Sequence, residues 1–168
     1  MSLIQPPSEA TVKKALSEFK IDADANQIEQ IREYIKLLLT WNEKVNLTAI
    51  RDPQDILYRH FCESMMAAQV VDMSKSRLAD IGTGGGFPGL PLKILLPEAQ
   101  VILVESSVKK ATFLAEVVRA LGLSSVQVLV SRYEELGEEI TPLDFACARA
   151  LGEFKAFLDW AGSARVDA

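Results

Sequence analysis

A glycine-rich turn between two apolar runs most constrains how this chain can fold. The stretch RLADIGTGGGFPGLPLKILLPEAQVILVE, residues 77–105, begins with a short apolar run, passes through Gly82, Gly84, Gly85 and Gly86, and ends in a second apolar run. Between the turn and the second run lies a helical pattern with proline near its start. The stretch therefore predicts a strand, a glycine turn, a helix and a strand, which is the order of a β-α-β unit.

The segments that follow continue this alternation. Residues 107–123, SVKKATFLAEVVRALGL, predict a helix that Gly122 caps. SVQVLV at 125–130 and LDFACA at 143–148 predict a third and a fourth strand, and a further helix is predicted from Glu153. Strands that alternate with helices predict an α/β fold with a parallel sheet of right-handed β-α-β units.

The chain before the first strand has a helical pattern. Asp24 followed three residues later by Gln27 resembles a capping box, and Pro53 can open a later helix. We therefore predict an N-terminal helical cap over residues 1–75 and a Rossmann-like core over residues 76–168, packed together as one compact unit.

Composition and charge exclude several classes of function. A net charge of −5 argues against coating nucleic acid by bulk charge, although a local basic patch is compatible with it. No apolar run approaches the roughly 20 residues of a membrane span, and the N-terminus lacks the pattern of a signal peptide, so we expect a cytoplasmic protein. Cys62, Cys147 and the single histidine, His60, are scattered, which predicts reduced thiols and no metal site.

The glycine turn follows the first strand, where parallel sheets bind their ligands. A Walker loop would require Gly-Lys-Ser/Thr, but Leu90 follows Gly89, so we exclude it. A dinucleotide fingerprint, G-x-G-x-x-G, fits Gly84, Gly86 and Gly89. Glu105 lies about 20 residues further on, where an acid can hold ribose hydroxyls.

A third pattern, D-x-G-x-G-x-G, is matched by Asp80, Gly82, Gly84 and Gly86 and is that of methyltransferases that use S-adenosylmethionine. A carboxylate at Asp80 repels the pyrophosphate of a dinucleotide but favours the cationic amine and sulfonium of S-adenosylmethionine. Glu105 serves both ligands, since a carboxylate accepts two hydrogen bonds from a ribose diol. We therefore predict S-adenosylmethionine as cofactor, with a NAD-dependent oxidoreductase and a non-catalytic or catalytically impaired cofactor-binding module as alternatives.

Several motifs match one family at its expected spacing. The segments are WNEKVNLTAIRDP, RHFCES, DIGTGGGFPGLPLKI, ESSVKKATFL, SRYEEL and DFACARAL. The chain resembles the RsmG/GidB methyltransferases of bacteria, which methylate a guanine of small-subunit ribosomal RNA at ring nitrogen seven. The resemblance implies a class I S-adenosylmethionine-dependent methyltransferase fold and, as partner, ribosomal RNA or a ribosomal particle. Glu63 and Ala148 depart from the family's usual Asp and Ser.

The resemblance also implies roles for single residues. Arg149, after strand four, faces the reaction site and positions the reactants, while Lys109 and Arg132 match positions that face RNA. Pattern and resemblance together give a cofactor-binding set of Asp80, Gly82, Gly84, Gly86, Phe87, Glu105, Tyr133, Glu134 and Arg149.

The target atom needs no general base, because a guanine ring nitrogen carries a lone pair and no proton, so catalysis rests on positioning. His60 is interpreted as a structural residue hydrogen-bonded under the cap. Trp41, Met65 and Met66 are interpreted as core residues rather than stacking platforms for bases.

Four strands are predicted, whereas the fold class that the resemblance implies has seven, with the fourth inside the sheet. We therefore expect a sheet that is incomplete after its fourth strand, with LDFACA at an edge. An apolar edge invites pairing with another chain, so we expect a monomer unless this edge self-associates.

Overall fold

The computed structural model describes residues 5–137, 140–149, 152 and 154–163. Its centre is a sheet of four parallel strands in the order β3-β2-β1-β4. The strands are β1 Arg77–Ile81, β2 Gln100–Glu105, β3 Val126–Val130 and β4 Phe145–Ala148. The predicted α/β fold with a parallel sheet is thereby confirmed.

Helices precede the sheet and connect its strands. The cap contains α1 Glu9–Glu18, α2 Ala25–Asn42, α3 Pro53–Ile56 and α4 Glu63–Met65; the helices between and after the strands are α5 Gly89–Leu95, α6 Val108–Ala120 and α7 Phe154–Ser163. The predicted start of the last helix, Glu153, lies outside the described residues.

Local signals in the sequence explain where the cap helices begin. Asp24 and Gln27 form the predicted capping box at α2, with each side chain 2.8 Å from the other's backbone nitrogen. The side-chain Nε2 of Gln27 also donates to the backbone carbonyl of Ile94 at 2.8 Å, and this hydrogen bond connects the cap to α5. Pro53 opens α3, and Asp52 caps it.

Residues 53–69 form one helical segment whose pitch changes along its length. Between α3 and α4, Leu57–Cys62 is π-helical, and Met66–Gln69 continues as a 3₁₀ turn. The sequence did not predict the π-helical turn, although such turns are frequent at functional sites. Met65 is fully buried as expected, whereas the prediction for Met66 was wrong, since it is 44% exposed after the change of pitch.

The sheet has a core on each face. One core joins the cap to the sheet and contains Ile31, Leu38 and Phe61 of the cap together with Leu78 of β1. The other contains Ala79 of β1 and Phe157 of α7. Because successive strand residues point to opposite faces, neighbouring residues of β1 enter different cores.

Strand β4 pairs with β1 and lies at the edge of the described sheet. The sequence reads as a strand buried on both faces, but all four of its residues are only half-buried, because one of its edges has no strand neighbour in the described segments. On α7, Phe154 is 66% exposed and Leu158 is 51% exposed. None of the helices within the described ranges combines the length and apolarity that a membrane span requires.

Candidate active site at the glycine turn

The glycine turn takes its shape from alternate residues in left-handed conformations. Gly82, Gly84 and Gly86 have φ values of +65°, +58° and +96°, which side chains other than glycine rarely adopt. The amides of Gly86 and Phe87 both donate to the carbonyl of Thr83, at 2.9 and 3.1 Å. The spacing D-x-G-x-G-x-G thus marks the positions where this backbone turns.

Asp80 holds both ends of the turn from beneath. Its side chain is fully buried, and Oδ2 accepts hydrogen bonds from the Thr83 hydroxyl at 2.6 Å and the Gly89 amide at 2.7 Å. A Cβ on Gly89 would lie 2.8 Å from this oxygen, so only glycine allows the approach. Asp80 was predicted to belong to the cofactor-binding set; in this structure its buried carboxylate holds the loop through these two hydrogen bonds.

Burial raises the pKa of Asp80 to about 6, and the hydrogen bonds from Thr83 and Gly89 oppose this rise. The Arg149 guanidinium also favours the charged form. The second oxygen, Oδ1, meets no N–H or O–H donor among the described residues, while the Cys147 thiol beside the carboxyl also lowers the pKa of Asp80. The carboxylate therefore places negative charge under the loop in a poorly solvated position.

Glu105 ties the same loop to the beginning of α6. Its Oε2 accepts from the Gly84 amide at 2.9 Å and its Oε1 from the Ser107 amide at 2.8 Å. Glu105 is 6% exposed. Because a carboxylate offers about four lone-pair sites, each oxygen retains capacity for one more donor.

A pocket of about 490 Å³ opens beside the loop, at the carboxyl ends of β1, β2 and β3. This volume is within the usual range for small-molecule sites. The pocket is lined by Gly82, Val104, Ser106, Ser131, Arg132, Tyr133, Glu134 and Gly152.

Three residues of the predicted cofactor set, Gly82, Tyr133 and Glu134, meet in this pocket. Arg132, which was predicted to face RNA, lines it as well, and its Nη2 lies 3.5 Å from Glu134 Oε1. No pattern in the sequence indicated that Ser106 and Ser131 would line the pocket. Lys109 is exposed in the first turn of α6.

Phe87 was predicted to line the cofactor, but the structure places it between the loop and the cap. It is 7% exposed, and its ring stacks on Tyr34 at 5.4 Å and on His60 at 4.5 Å between centroids. The Tyr34 hydroxyl donates to the carbonyl of Gly85 in the same turn. These ring contacts pack Phe87 against the cap, and Phe87 is not among the residues that line the pocket.

Arg149 directly follows β4 and is exposed. Its Nη2 lies 2.8 Å from Nδ1 of His60, and its Nη1 donates to the carbonyl of Arg59 at 3.2 Å. His60 Nε2 lies 2.7 Å from the Thr48 hydroxyl oxygen, so the ring is hydrogen-bonded under the cap as predicted. Burial, with the charges of Arg149 and Arg59, lowers the pKa of His60 to about 4.

No group of three His, Cys, Asp or Glu side chains in the described part of the chain is arranged to hold a metal ion. Cys62 is buried and Cys147 half-buried, both as free thiols.

Comparison with known sequences gives a consistent match. The family model described as "GidB: rRNA small subunit methyltransferase G" matches residues 27–165. The ribosomal RNA small subunit methyltransferase G of Desulfitobacterium hafniense is 42% identical over 144 residues, which cover 84% of this chain and 59% of that protein. The protein of the same name from Roseiflexus castenholzii is 45% identical, with 82% of this chain and 60% of that one covered. The chain thus spans about three fifths of the length of these relatives.

Solved structures show the same fold. An O-methyltransferase from Bacillus cereus, solved in complex with SAH, superimposes with a TM-score of 0.61 at 21% identity, covering 91% of this chain and 67% of that one. A protein-L-isoaspartate O-methyltransferase superimposes with a TM-score of 0.56 at 13% identity, covering 84% and 47%. The class I methyltransferase fold is thereby confirmed.

Proposed function

We propose that this chain, which belongs to the rRNA small subunit methyltransferase G family, binds S-adenosylmethionine and transfers its methyl group to small-subunit ribosomal RNA. The proposed acceptor is ring nitrogen seven of a guanine, and the proposed compartment is the cytoplasm. The observation that carries the choice of cofactor is that two amides of the glycine loop, those of Gly84 and Gly89, already donate to carboxylates.

This pairing disfavours a dinucleotide. A pyrophosphate at a glycine turn needs free amide donors and a positive field. Here Asp80 accepts a hydrogen bond from the Gly89 amide at the beginning of α5, and Glu105 accepts one from the Gly84 amide. Two carboxylates so close to the loop repel a dianion, whereas they attract a ligand with an ammonium and a sulfonium group.

Residues in and beside the pocket are proposed to hold the adenosine part of S-adenosylmethionine. Tyr133 and Glu134 are proposed to flank the adenine, and the open lone pairs of Glu105 to accept the ribose hydroxyls. Gly82 lines the pocket with its backbone, because it has no side chain. When bound, the cofactor supplies a methyl group already activated by its sulfonium.

The chain itself contributes position rather than proton transfer. Arg149 stands at the carboxyl end of β4 with its guanidinium held by His60 and Arg59. There it is proposed to hold the base or a phosphate of the RNA against the pocket. Orienting two reactants in this way supplies a large part of the rate of a displacement that needs no general base.

The direct test is transfer of tritium from methyl-labelled S-adenosylmethionine to small-subunit ribosomal RNA, followed by nucleoside analysis. We expect labelled 7-methylguanosine, and parallel reactions with bare RNA and with small ribosomal subunits identify the preferred substrate. Calorimetry with S-adenosylmethionine and with NAD accompanies the assay. Binding of NAD without binding of S-adenosylmethionine would contradict the proposal.

Glu105→Ala is expected to weaken cofactor binding by about 1.5–3 kcal/mol, the usual loss for hydrogen bonds to a charged group. The variant removes the acceptor proposed for the ribose and frees the Gly84 amide. Calorimetry with S-adenosylhomocysteine measures the effect, and Glu98→Ala, at an exposed position before β2, controls for the loss of one acid. Equal affinity in both variants would show that the ribose lies elsewhere.

Lys109→Ala is expected to lower RNA affinity at physiological salt and to reduce the slope of log affinity against log salt by about one, with cofactor affinity unchanged. Lys75→Ala is the matched control. Lys75 is exposed just before β1, at the amino ends of the strands, whereas the pocket lies at their carboxyl ends. Arg132→Ala is expected to lower both affinities, since Arg132 lines the pocket. An unchanged salt slope in the Lys109 variant would remove Lys109 from the RNA surface.

A further inference from the structure

We propose that His60 is a positioning residue that accepts a hydrogen bond from Arg149 and so holds its guanidinium at the substrate side of the site. The role assigned to Arg149 rests on the proposed function, whereas the hydrogen bond itself does not. His60 and Arg149 lie 89 positions apart in the chain, one in the cap and one after the end of β4, and are within hydrogen-bond distance of each other.

The contact fixes the protonation of the imidazole. A guanidinium can only donate, so Nδ1 of His60, 2.8 Å from Arg149 Nη2, has to be the acceptor and carries no proton. The ring proton then lies on Nε2, which donates to the Thr48 hydroxyl oxygen at 2.7 Å. Both ring nitrogens are thus used in one direction, from Arg149 through His60 to Thr48.

Thr48 is itself held by its surroundings. Its hydroxyl accepts from the Ile50 amide at 3.1 Å. The side chain of Asn42, at the end of α2, donates to the Thr48 carbonyl at 2.8 Å and accepts from the Thr48 amide at 3.1 Å. The far end of the chain of hydrogen bonds is therefore anchored by the buried side chain of Asn42 and by the Ile50 amide.

The imidazole ring is also fixed by packing. His60 is 7% exposed and stacks on Phe87 of the glycine loop at 4.5 Å with 18° between the ring planes. It lies within the π-helical turn Leu57–Cys62, in which the neighbouring Arg59 offers its carbonyl to Arg149 Nη1. Two adjacent residues of that turn thus hold two nitrogens of one guanidinium.

Among the residues that the structure describes, no third acceptor meets the Arg149 guanidinium, so its remaining donors can meet a substrate. A guanidinium has five N–H donors, and His60 and Arg59 engage one each of Nη2 and Nη1. Arg149 is exposed, and burial together with the two arginines lowers the pKa of His60 to about 4, so the ring stays neutral beside the cation at neutral pH. A preorganised cation of this kind suits a phosphate oxygen or the acceptor edge of an RNA base.

The first test uses the fact that the chain has a single histidine, which makes its ring nitrogens unambiguous in nitrogen-15 NMR. We expect a neutral ring at pH 7 with its proton on Nε2 in the unmutated chain. Arg149→Gln is expected to change the Nδ1 shift. A proton on Nδ1 would overturn the proposal, because such a nitrogen cannot accept from a guanidinium. This readout needs neither cofactor nor RNA.

The second test separates positioning from folding. His60→Asn keeps an acceptor near the place of Nδ1, whereas His60→Phe keeps the stack on Phe87 without any acceptor. Loss of one hydrogen bond to a charged group corresponds to about a tenfold effect. We expect His60→Phe to lower RNA affinity by about this factor, His60→Asn to recover most of it, and the affinity for S-adenosylhomocysteine to stay within about twofold in both.

A double-mutant cycle with Arg149 decides whether His60 acts by positioning Arg149 or only by supporting the fold. If His60 acts through Arg149, the double variant His60→Phe, Arg149→Gln binds RNA no more weakly than Arg149→Gln alone. Additive losses, with His60→Asn as weak as His60→Phe, would overturn the proposal. A chain that does not bind S-adenosylmethionine would contradict the proposed function, but the position of the proton on His60 would still decide the present inference.

Discussion

Gly86→Ala is expected to destabilise the fold by about 3–5 kcal/mol, a large part of the stability of a small domain. A Cβ at this position would overlap the Tyr34 hydroxyl and lie 2.7 Å from a methyl group of Leu90, both in the core between cap and loop. The φ of +96° adds backbone strain. Neither neighbour can move away easily, because Tyr34 and Leu90 are both fully buried and the Tyr34 hydroxyl is hydrogen-bonded to the Gly85 carbonyl.

Gly84→Ala is expected to behave differently, although its φ of +58° is also positive. The nearest atom to its Cβ would be the Gly82 carbonyl oxygen at 3.9 Å, so the cost is limited to the backbone, about 1–2 kcal/mol. The new methyl group projects from the loop that the cofactor has to approach, and we expect a loss of at least about tenfold in affinity for S-adenosylhomocysteine.

Gly122→Ala is the matched control, since its φ is +62° and no atom lies within 4 Å of its Cβ. It carries the same backbone cost at the end of α6 and leaves the loop unchanged. Urea denaturation and calorimetry on the three variants separate the two effects. Equal destabilisation of Gly86→Ala and Gly122→Ala would show that Tyr34 does not confine the turn.

Much of the fold follows from local chemistry that the sequence displays. The capping box of α2, the proline at the beginning of α3 and the glycine after α6 each depend on residues within one turn of one another. The spacing of the glycines marked where the loop turns, and the order of strands and helices predicted the parallel sheet. These features need no knowledge of distant neighbours.

The partners of the site residues could not be read in the same way. Asp80 and Glu105 were recognised as acids beside a glycine loop, but a pattern of residue types does not tell which amides they bind. Phe87 faces the cap because Tyr34 and His60 offer it aromatic contacts from remote parts of the chain. The hydrogen bond from Arg149 to His60 likewise depends on how the cap packs against the sheet.

Asp80→Asn is expected to make the folded chain more stable at neutral pH and to weaken its binding of S-adenosylmethionine. Burial raises the pKa of Asp80 from 3.8 to about 6, so the folded chain binds this proton more tightly than the unfolded chain. The contribution of Asp80 to stability is fully present below pH 3.8 and is lost as the pH rises through 6. Above that pH the loss amounts to about 3 kcal/mol.

Asparagine removes this loss while keeping a carbonyl oxygen for the Thr83 hydroxyl and the Gly89 amide. The substitution is also expected to change how stability depends on pH, because Asp80 and His60 contribute to that dependence with opposite signs. The pKa of His60 falls from 6.5 to about 4 on folding, so its contribution is present above pH 6.5 and is lost as the pH falls through 4. In the unmutated chain the two contributions oppose each other between pH 4 and 6.5.

In the Asp80→Asn variant the contribution of His60 is no longer opposed by that of Asp80, so we expect stability to rise by about 3 kcal/mol between pH 4 and 6.5. The parent chain should change much less over the same range. Urea denaturation at several pH values measures both, and Asp22→Asn, at an exposed position, removes the same charge from the cap surface. A variant that is less stable than the parent at pH 8 would show that the carboxylate stabilises the loop in its charged form.

The same substitution tests why an acid lies under the loop. S-adenosylmethionine carries a sulfonium charge and S-adenosylhomocysteine does not, while both carry the amino acid and the nucleoside. If the charge of Asp80 attracts the sulfonium through the loop, Asp80→Asn lowers the affinity for S-adenosylmethionine by a larger factor than the affinity for S-adenosylhomocysteine. An equal loss for the two ligands would assign Asp80 to loop geometry alone. The buried carboxylate would then serve the site only through the Thr83 hydroxyl and the Gly89 amide that it holds.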